Sequence, residues 1–230
     1  MTNHLKRYFA PKTWKIKRKC MKYITKPSPG THKIGMSMPI NVILRDILEY
    51  ASTNKEVKFI LSNKNILVDG KRRKDYRFPV GLFDVLSLSD IDEHFRVILN
   101  KKGKLAVIKI GKEESKTKLC KITGKKAVRK KIQLSMNDGK NTLVDKSEVK
   151  VGDSVLIALG DKITIKDSIK LDKNTSIYLT GGKHIGHTGK VQDIEGKRII
   201  YKTEKGDVFE TLKKYALAIG KDKPVISIAE

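Results

Sequence analysis

Five basic residues lie close together between positions 71 and 77, where Lys71-Arg-Arg-Lys74 is followed by Arg77. Ammonium and guanidinium groups bind phosphate oxygens, and five cations on one short loop repel each other unless an anion lies against them. We therefore expect this loop to contact a polyanion. The candidate contacts are Lys71, Arg72, Arg73, Lys74 and Arg77.

The first 45 residues combine cations with aromatic rings. They hold eleven Lys and Arg and no Asp or Glu, with Tyr8, Phe9, Trp14 and Tyr23 among them. Such rings stack on unpaired bases while the cations meet phosphates, which predicts RNA binding. The alternative, that Phe9, Trp14 and Tyr23 instead pin this segment to a domain core, stays open. The candidate RNA contacts here are Lys6, Arg7, Lys12, Trp14, Lys15, Lys17, Arg18, His32, Lys33 and Arg45.

A glycine-rich stretch runs from Thr180 to Val191. A phosphate-cradling loop of the G-x-x-x-x-G-K-[ST] type is excluded, because His184 stands at its first glycine and Val191 at its magnesium-binding hydroxyl. The stretch is more typical of a turn that feeds a β-strand. Its side chains would meet phosphates from that turn. The candidates are Lys183, His184, His187 and Lys190.

The residue types that perform catalysis or bind metals lack suitable partners. His184 and His187 are three apart with no Cys or carboxylate beside them, and Cys20 and Cys120 are a hundred apart. Three aspartates are better explained as turn or ion-pair residues than as catalytic acids. They are Asp69, Asp75 and Asp84. We expect no enzyme, no catalytic residue, no cofactor and no metal.

The composition indicates a folded protein with a polyanionic partner. The 230 residues carry 50 Lys and Arg against 25 Asp and Glu, a net charge of +25, yet 39% are hydrophobic. That hydrophobic share is enough for packed cores. With neither an apolar run long enough for a bilayer nor a secretory signal, the expected location is the cytoplasm.

The basic charge is unevenly distributed. Residues 1–45 carry +11, residues 46–100 are neutral, residues 101–172 carry +10 and residues 173–230 carry +4. This asymmetry favours polyanion binding over mere solubility.

Helical signals are confined to the region after Pro39. Apolar residues from Ile40 to Leu48 recur at spacings of three and four residues, which predicts a helix. Thr53-Asn-Lys-Glu56 is a capping box that starts a second helix. Ile66–Val68 then leads into Asp69-Gly70, the dipeptide of a two-residue hairpin turn. The proline-rich start is expected to be extended with short turns.

From Phe95 onward the pattern predicts short strands, with no clear helix between residues 95 and 172. The fold class is therefore α+β, multidomain and mostly β. We divide the chain into an N-terminal extension (1–38), a helix–helix–hairpin unit (39–94), a central β-barrel or sandwich (95–172) and a small five-stranded C-terminal barrel (173–230).

An ordered set of fragments resembles the archaeal and eukaryotic (e-type) family of small-subunit ribosomal protein four. The fragments include His4-Leu-Lys-Arg7, Pro27-Ser-Pro-Gly-Thr-His-Lys33, Val68–Asp75, Lys118-Leu-Cys-Lys121 and Gly220-Lys-Asp-Lys-Pro224. Val225 stands where the eukaryotic pattern has Trp, and the longer basic tail of eukaryotic members does not follow. The resemblance is therefore to the archaeal type.

The resemblance implies an alpha-L RNA-binding motif that contains the helix pair and the 71–77 loop. It also implies a KOW module in an SH3-like barrel, with Lys183, Gly186, Gly189 and Val191 on its pattern. The chain has 41 Lys to 9 Arg, where the family more often has Arg. Since Lys is a point charge, phosphate contact is favoured over bidentate base contact.

The resulting expectation is a structural constituent of the small ribosomal subunit. It would bind and stabilise folded rRNA beside neighbouring ribosomal proteins, with no membrane and no small-molecule substrate, and its N-terminal extension would order only on binding. Two alternatives carry the same modules: an RNA-modifying enzyme, and a free-standing translation or transcription factor.

Overall fold

Strands make up most of the secondary structure. The computed structural model describes residues 4–128, 131–145, 148–160, 163–203, 206–221 and 224–228. They divide into two units, the first reaching Ile98 and including Lys104–Lys116, the second formed by Leu99–Gly103 and the described residues from Thr117 onward. The mostly β expectation is confirmed.

The first unit holds nine strands in three antiparallel groups. Strands β1 and β2 pair, β3 pairs with β6, and the remaining five form a sheet in the order β5-β4-β7-β8-β9. The strands are β1 His4–Lys6, β2 Tyr23–Thr25, β3 Ser37–Pro39, β4 Ile66–Val68, β5 Lys71–Arg72, β6 Pro79–Gly81, β7 Val85–Leu88, β8 Glu93–Leu99 and β9 Leu105–Ile110.

Both predicted helices are present. Helix α1, Ile40–Val42, continues as a π-helix over Ile43–Ile47, and its apolar residues at three and four are buried or half-buried. Helix α2, Asn54–Asn63, begins at Thr53, whose hydroxyl accepts from the Glu56 N–H as the capping box predicts.

The predicted Asp69-Gly70 turn is confirmed as the link between β4 and β5. Val68 pairs with Lys71, which leaves two residues in the loop, and both have positive φ, 50° and 77°. Glycine reaches this region without strain, and Asp tolerates it as part of a type I′ turn. The turn leaves β5 at the edge of the sheet, with Lys71 and Arg72 exposed.

The sheet extends across the predicted domain boundary at residues 94 and 95. Strands β8 and β9, expected to open the central β domain, pair beside β7 in the same sheet as the hairpin. Side-chain alternation predicts strands but does not say which neighbour each strand pairs with. The division into four domains therefore stays a prediction.

The second unit contains two five-stranded antiparallel sheets, ordered β12-β11-β10-β13-β14 and β18-β17-β16-β15-β19. In the first of these sheets, alternating residues such as Cys120, Leu134 and Val155 form a buried core. The strands are β10 Thr117–Val128, β11 Lys131–Met136, β12 Asn141–Val144, β13 Ser154–Ala158, β14 Thr164–Ile169, β15 Ser176–Leu179, β16 Thr188–Glu195, β17 Arg198–Thr203, β18 Val208–Leu212 and β19 Ala216–Gly220.

Candidate nucleic-acid interface

The arginine at the start of the chain faces inward. The Arg7 side chain is buried, forms an ion pair with Asp46 at 3.1 Å and donates to the Lys17 carbonyl oxygen at 2.7 Å. Asp46 also accepts from Arg45 at 2.7 Å, and Arg45 donates to the Asn54 side chain. Arg7 and Arg45, both candidate RNA contacts, therefore share the Asp46 carboxylate.

Trp14 settles one of the alternatives left open by the sequence. Its side chain is only 1% exposed, and its indole N–H donates to the Ser37 carbonyl oxygen at 2.8 Å. The neighbouring Thr13 carbonyl accepts from the Leu105 N–H, which ties the segment to β9. Trp14 is thus a core residue in this structure, and its ring is not available for stacking on a base.

Two more candidates are engaged within the fold. Arg18 donates to the carbonyl oxygens of Tyr8, Ala10 and Pro11 at 2.8–3.1 Å. The His32 ring lies 3.0 Å from the Asp84 carboxylate, and both side chains are largely buried. The sequence analysis expected an N-terminal extension that orders only on binding. In the structure, the described residues of this segment already pack on the rest of the first unit.

The lysines of the same segment point outward. Lys6, Lys12, Lys15, Lys17 and Lys33 are all exposed. An ammonium on a long, flexible stem stays hydrated more easily than it packs, whereas the planar guanidinium serves several carbonyls at once. The two types of cation are therefore divided between surface and interior.

The same division recurs in the 71–77 loop. Lys71 and Lys74 are exposed, whereas Arg73 lies over the Phe78 ring, 4.3 Å from its centroid, and Arg77 donates to the Lys26 carbonyl oxygen. Arg72 is exposed and donates to the Ser62 carbonyl oxygen at 3.1 Å. The loop presents its charge on an edge strand, held by the contacts of its arginines.

The three aspartates singled out in the sequence have structural partners, as predicted. Asp69 accepts from the Val85 N–H, Asp75 from the Arg77 N–H, and Asp84 from the Gly81 N–H as well as contacting His32. Within the described ranges, no three side chains of the His, Cys, Asp and Glu types converge as a metal site requires. No helix of the described residues is long and apolar enough to span a bilayer.

The glycine-rich turn before β16 presents its cations from a tightly packed backbone. Lys183 and Lys190 are exposed, and the His184 ring stacks on Phe209 with centroids 4.1 Å apart and lies 5.9 Å from His187. A Cβ at Gly189 would lie 2.7 Å from the Lys202 carbonyl oxygen, so no side chain fits there. Lys183, His184 and His187 lie before β16, and Lys190 lies within it.

Sequence reasoning missed one buried lysine, Lys118, and one half-buried lysine, Lys121, of the second unit. Lys118 forms an ion pair with Asp138 at 2.9 Å; burial opposes ionisation of that carboxyl, but the neighbouring Lys118 and Lys140 charges outweigh it and lower the pKa of Asp138. Lys121 donates to the carbonyl oxygens of Lys213, Lys214 and Ala216. Burial, and then the charge of Lys213, lower the pKa of Lys121 to about 8. The signal that could have revealed the burial of Lys118 is the alternation of side chains along β10. Lys118 is two residues before buried Cys120 and therefore shares its face of the strand.

Comparison with known proteins gives a consistent result. The model of ribosomal family S4e matches residues 91–164, and the RS4NT domain model matches residues 1–35. Small ribosomal subunit protein eS4 of Methanococcus aeolicus is 41% identical over 98% of this chain and 97% of its own, and that of Methanosphaera stadtmanae is 41% identical over 98% and 95%. The crystal structure of the 30S ribosomal protein S4e from Thermoplasma acidophilum has a TM-score of 0.69 at 32% identity, covering 81% of this chain and 96% of that one. On this evidence of sequence and fold, the chain belongs to ribosomal family S4e.

Proposed function

We propose that this chain is a structural constituent of the small ribosomal subunit, in the cytoplasm, where it binds and stabilises folded rRNA beside neighbouring ribosomal proteins. The observation that carries the proposal is the acid-free segment up to residue 45, which is folded by its arginines and Trp14 and exposes its lysines. A preformed cationic surface displaces condensed counterions from RNA without an ordering cost for the protein.

The helix pair and the 71–77 loop form the part of the first unit that we assign to an alpha-L RNA-binding motif. Its support is the order α1, α2, β4, β5, with exposed Lys71 on the edge strand β5 and exposed Lys74 just after that strand. Lysines at this position suit the phosphate backbone of a folded RNA, because a point charge needs no particular base opposite it.

The C-terminal sheet is the part that we assign to a KOW module in an SH3-like barrel. Its support is the five-stranded antiparallel order and the close approach of Gly189 in β16 to β17. Lys183, His184 and His187 lie before β16 and Lys190 within it, where side chains and backbone would both reach a phosphate.

Sedimentation separates this role from that of a free-standing factor. Ribosomes from cells that express a tagged full-length chain are washed at high salt and separated on a sucrose gradient, and the tag is followed by immunoblot. A structural constituent, held by many contacts at once, stays with the small subunit, whereas a transient factor, held by few contacts, is released when salt screens them. Release into the top fractions would contradict the proposal.

The second alternative, an RNA-modifying enzyme, has a direct test. Small-subunit rRNA is incubated with the purified chain and digested to nucleosides, which are identified and quantified by mass spectrometry. We expect the set of modified nucleosides to be the same with and without the chain. A new modified nucleoside that appears only with the chain would overturn the structural role.

A further inference from the structure

Two aromatic rings project from the acid-free segment into solvent. Tyr8 is 80% exposed and Phe9 67% exposed, and their centroids are 5.9 Å apart with the planes at 77°. Single exposed aromatics are ordinary, but an adjacent pair with so little burial contributes little to the fold. These two rings are available for a partner.

The rings are held by a braced backbone. They lie in the short 3-10 turn Arg7–Phe9, which is anchored on one side by the buried Arg7 and on the other by the buried Ala10. Arg18 donates to the carbonyl oxygens of Tyr8 and Ala10, with N–O distances of 3.1 and 2.9 Å. Because the turn is already ordered, a partner that covers the rings pays little conformational entropy for the backbone.

Cations surround this turn. The pairing of β1 with β2 places Lys6 opposite Tyr23, and the Arg7 N–H donates to the Lys22 carbonyl oxygen, so exposed Lys6 and Lys22 both lie at the start of the turn. Exposed Lys12 follows shortly after the rings. Rings among cations, with no carboxylate in the segment, match the flat faces of bases and the phosphates that join them.

We propose that Tyr8 and Phe9 form a stacking platform for unpaired nucleobases of RNA, with Lys6 and Lys22 on the adjoining phosphates. The inference rests on the proposed rRNA binding. It adds that the RNA in contact with this turn is single-stranded. A duplex keeps its bases stacked inside, so it offers phosphates to the lysines but no base face to the rings.

The test compares single-stranded and double-stranded RNA on the full chain. A labelled, unstructured RNA of about 12 nucleotides, within the usual site size of such surfaces, and a duplex of the same length are titrated with three proteins. These are the wild type, the Tyr8→Ala/Phe9→Ala variant and a Leu143→Ala control. Leu143 is a large hydrophobic residue that is 57% exposed, and it lies on β12, outside the elements that we assign to RNA binding.

We expect the double variant to bind the single strand about 10-fold more weakly, since loss of stacking typically costs between a few-fold and a hundred-fold per base. Its duplex affinity and its salt dependence should match the wild type, and Leu143→Ala should match the wild type on both RNAs. A Tyr8→Trp/Phe9→Trp variant should restore single-strand binding, since Trp offers a larger face.

Three results would overturn the platform while leaving rRNA binding intact. The first is that the double variant binds the single strand as tightly as the wild type, and the second is that it loses equal affinity for both RNAs. The third is that it binds both RNAs normally but is lost from small subunits, which would place a neighbouring protein on the rings. If the wild type shows no salt-dependent binding to either RNA, the proposed function itself fails, and the platform fails with it.

Discussion

The N-terminal segment and the glycine-rich turn before β16 both present lysines to solvent, but they are held in place by opposite means. In the segment, large side chains carry the structure: Trp14 is buried, and Arg7 and Arg18 donate to backbone carbonyls. In the turn, an absent side chain does so, because Gly189 lets two strands approach closely. In both regions, the groups that hold the backbone are different from the exposed lysines that the backbone presents.

The largest expected effect comes from the scaffold of the segment. Trp14→Ala should lower the free energy of unfolding by about 3–5 kcal/mol, because it empties a core site and leaves the Ser37 carbonyl oxygen without its donor. Tyr8→Ala, at an exposed ring of the same segment, should change it by less than about 0.5 kcal/mol. Urea unfolding measures both. Equal effects would mean that the segment is not folded by Trp14.

In the second unit, Lys121 donates to backbone carbonyls like the arginines of the segment. Since the pKa of Lys121 falls from 10.5 to about 8 on folding, the unfolded state holds more protons between these pH values. The free energy of unfolding should therefore rise with pH across that window, by up to about 3 kcal/mol relative to Lys121→Met.

The measurement is urea unfolding of the wild type and Lys121→Met at several pH values between 7 and 11. Lys126→Met serves as the control, because Lys126 is an exposed lysine on the same strand, β10. Its difference from the wild type should be flat with pH. A flat difference for Lys121→Met as well would show that this ammonium is not perturbed by its burial.

The scaffold of the turn gives the next effect. Gly189→Ala should lower the free energy of unfolding by about 1–3 kcal/mol, because the new methyl group meets the Lys202 carbonyl oxygen and the Tyr201 ring at 2.7 and 2.8 Å. Gly160→Ala is the matched control in the same unit, since no described residue beyond its chain neighbours lies within 4 Å of a Cβ built there. Thermal unfolding compares them. If both were equally tolerated, close approach would not explain the glycine.

The hairpin lysines should affect binding without affecting the fold. Lys71→Gln/Lys74→Gln removes two exposed charges, so the free energy of unfolding should stay within about 0.5 kcal/mol of the wild type. The slope of log affinity against log salt for an rRNA fragment should fall by about 1–2, since each lost phosphate contact contributes about 0.9. An unchanged slope would remove the hairpin from the interface.

Local sequence patterns predicted most of the elements. The capping box at Thr53 and the Asp69-Gly70 turn are short-range devices whose geometry depends on a few adjacent residues, and both are present. The pairing of β8 and β9 into the first unit's sheet was not predictable in this way. It depends on which distant strand offers a matching edge.

The candidate site was predictable by charge but not by direction. Lys6 and Arg7 are adjacent in the sequence and carry the same charge. Lys6 is nevertheless exposed, whereas Arg7 is buried against Asp46. Asp46 lies 39 positions away, so no local pattern reveals the partner. Removal of residues 1–38 would consequently delete core residues such as Trp14, and substitution of single charges is the cleaner experiment.

The most direct test of the central claim, that the exposed lysines of the N-terminal segment bind RNA phosphates, is the salt dependence of rRNA binding. Lys6/Lys12/Lys17→Gln is compared with Lys64/Lys109/Lys112→Gln, a control that removes the same charge from lysines paired with Asp90, Glu93 and Asp92. We predict that the first variant lowers the slope of log affinity against log salt by roughly 2–3 and that the control leaves it nearly unchanged. Equal slopes for the two variants would contradict the claim.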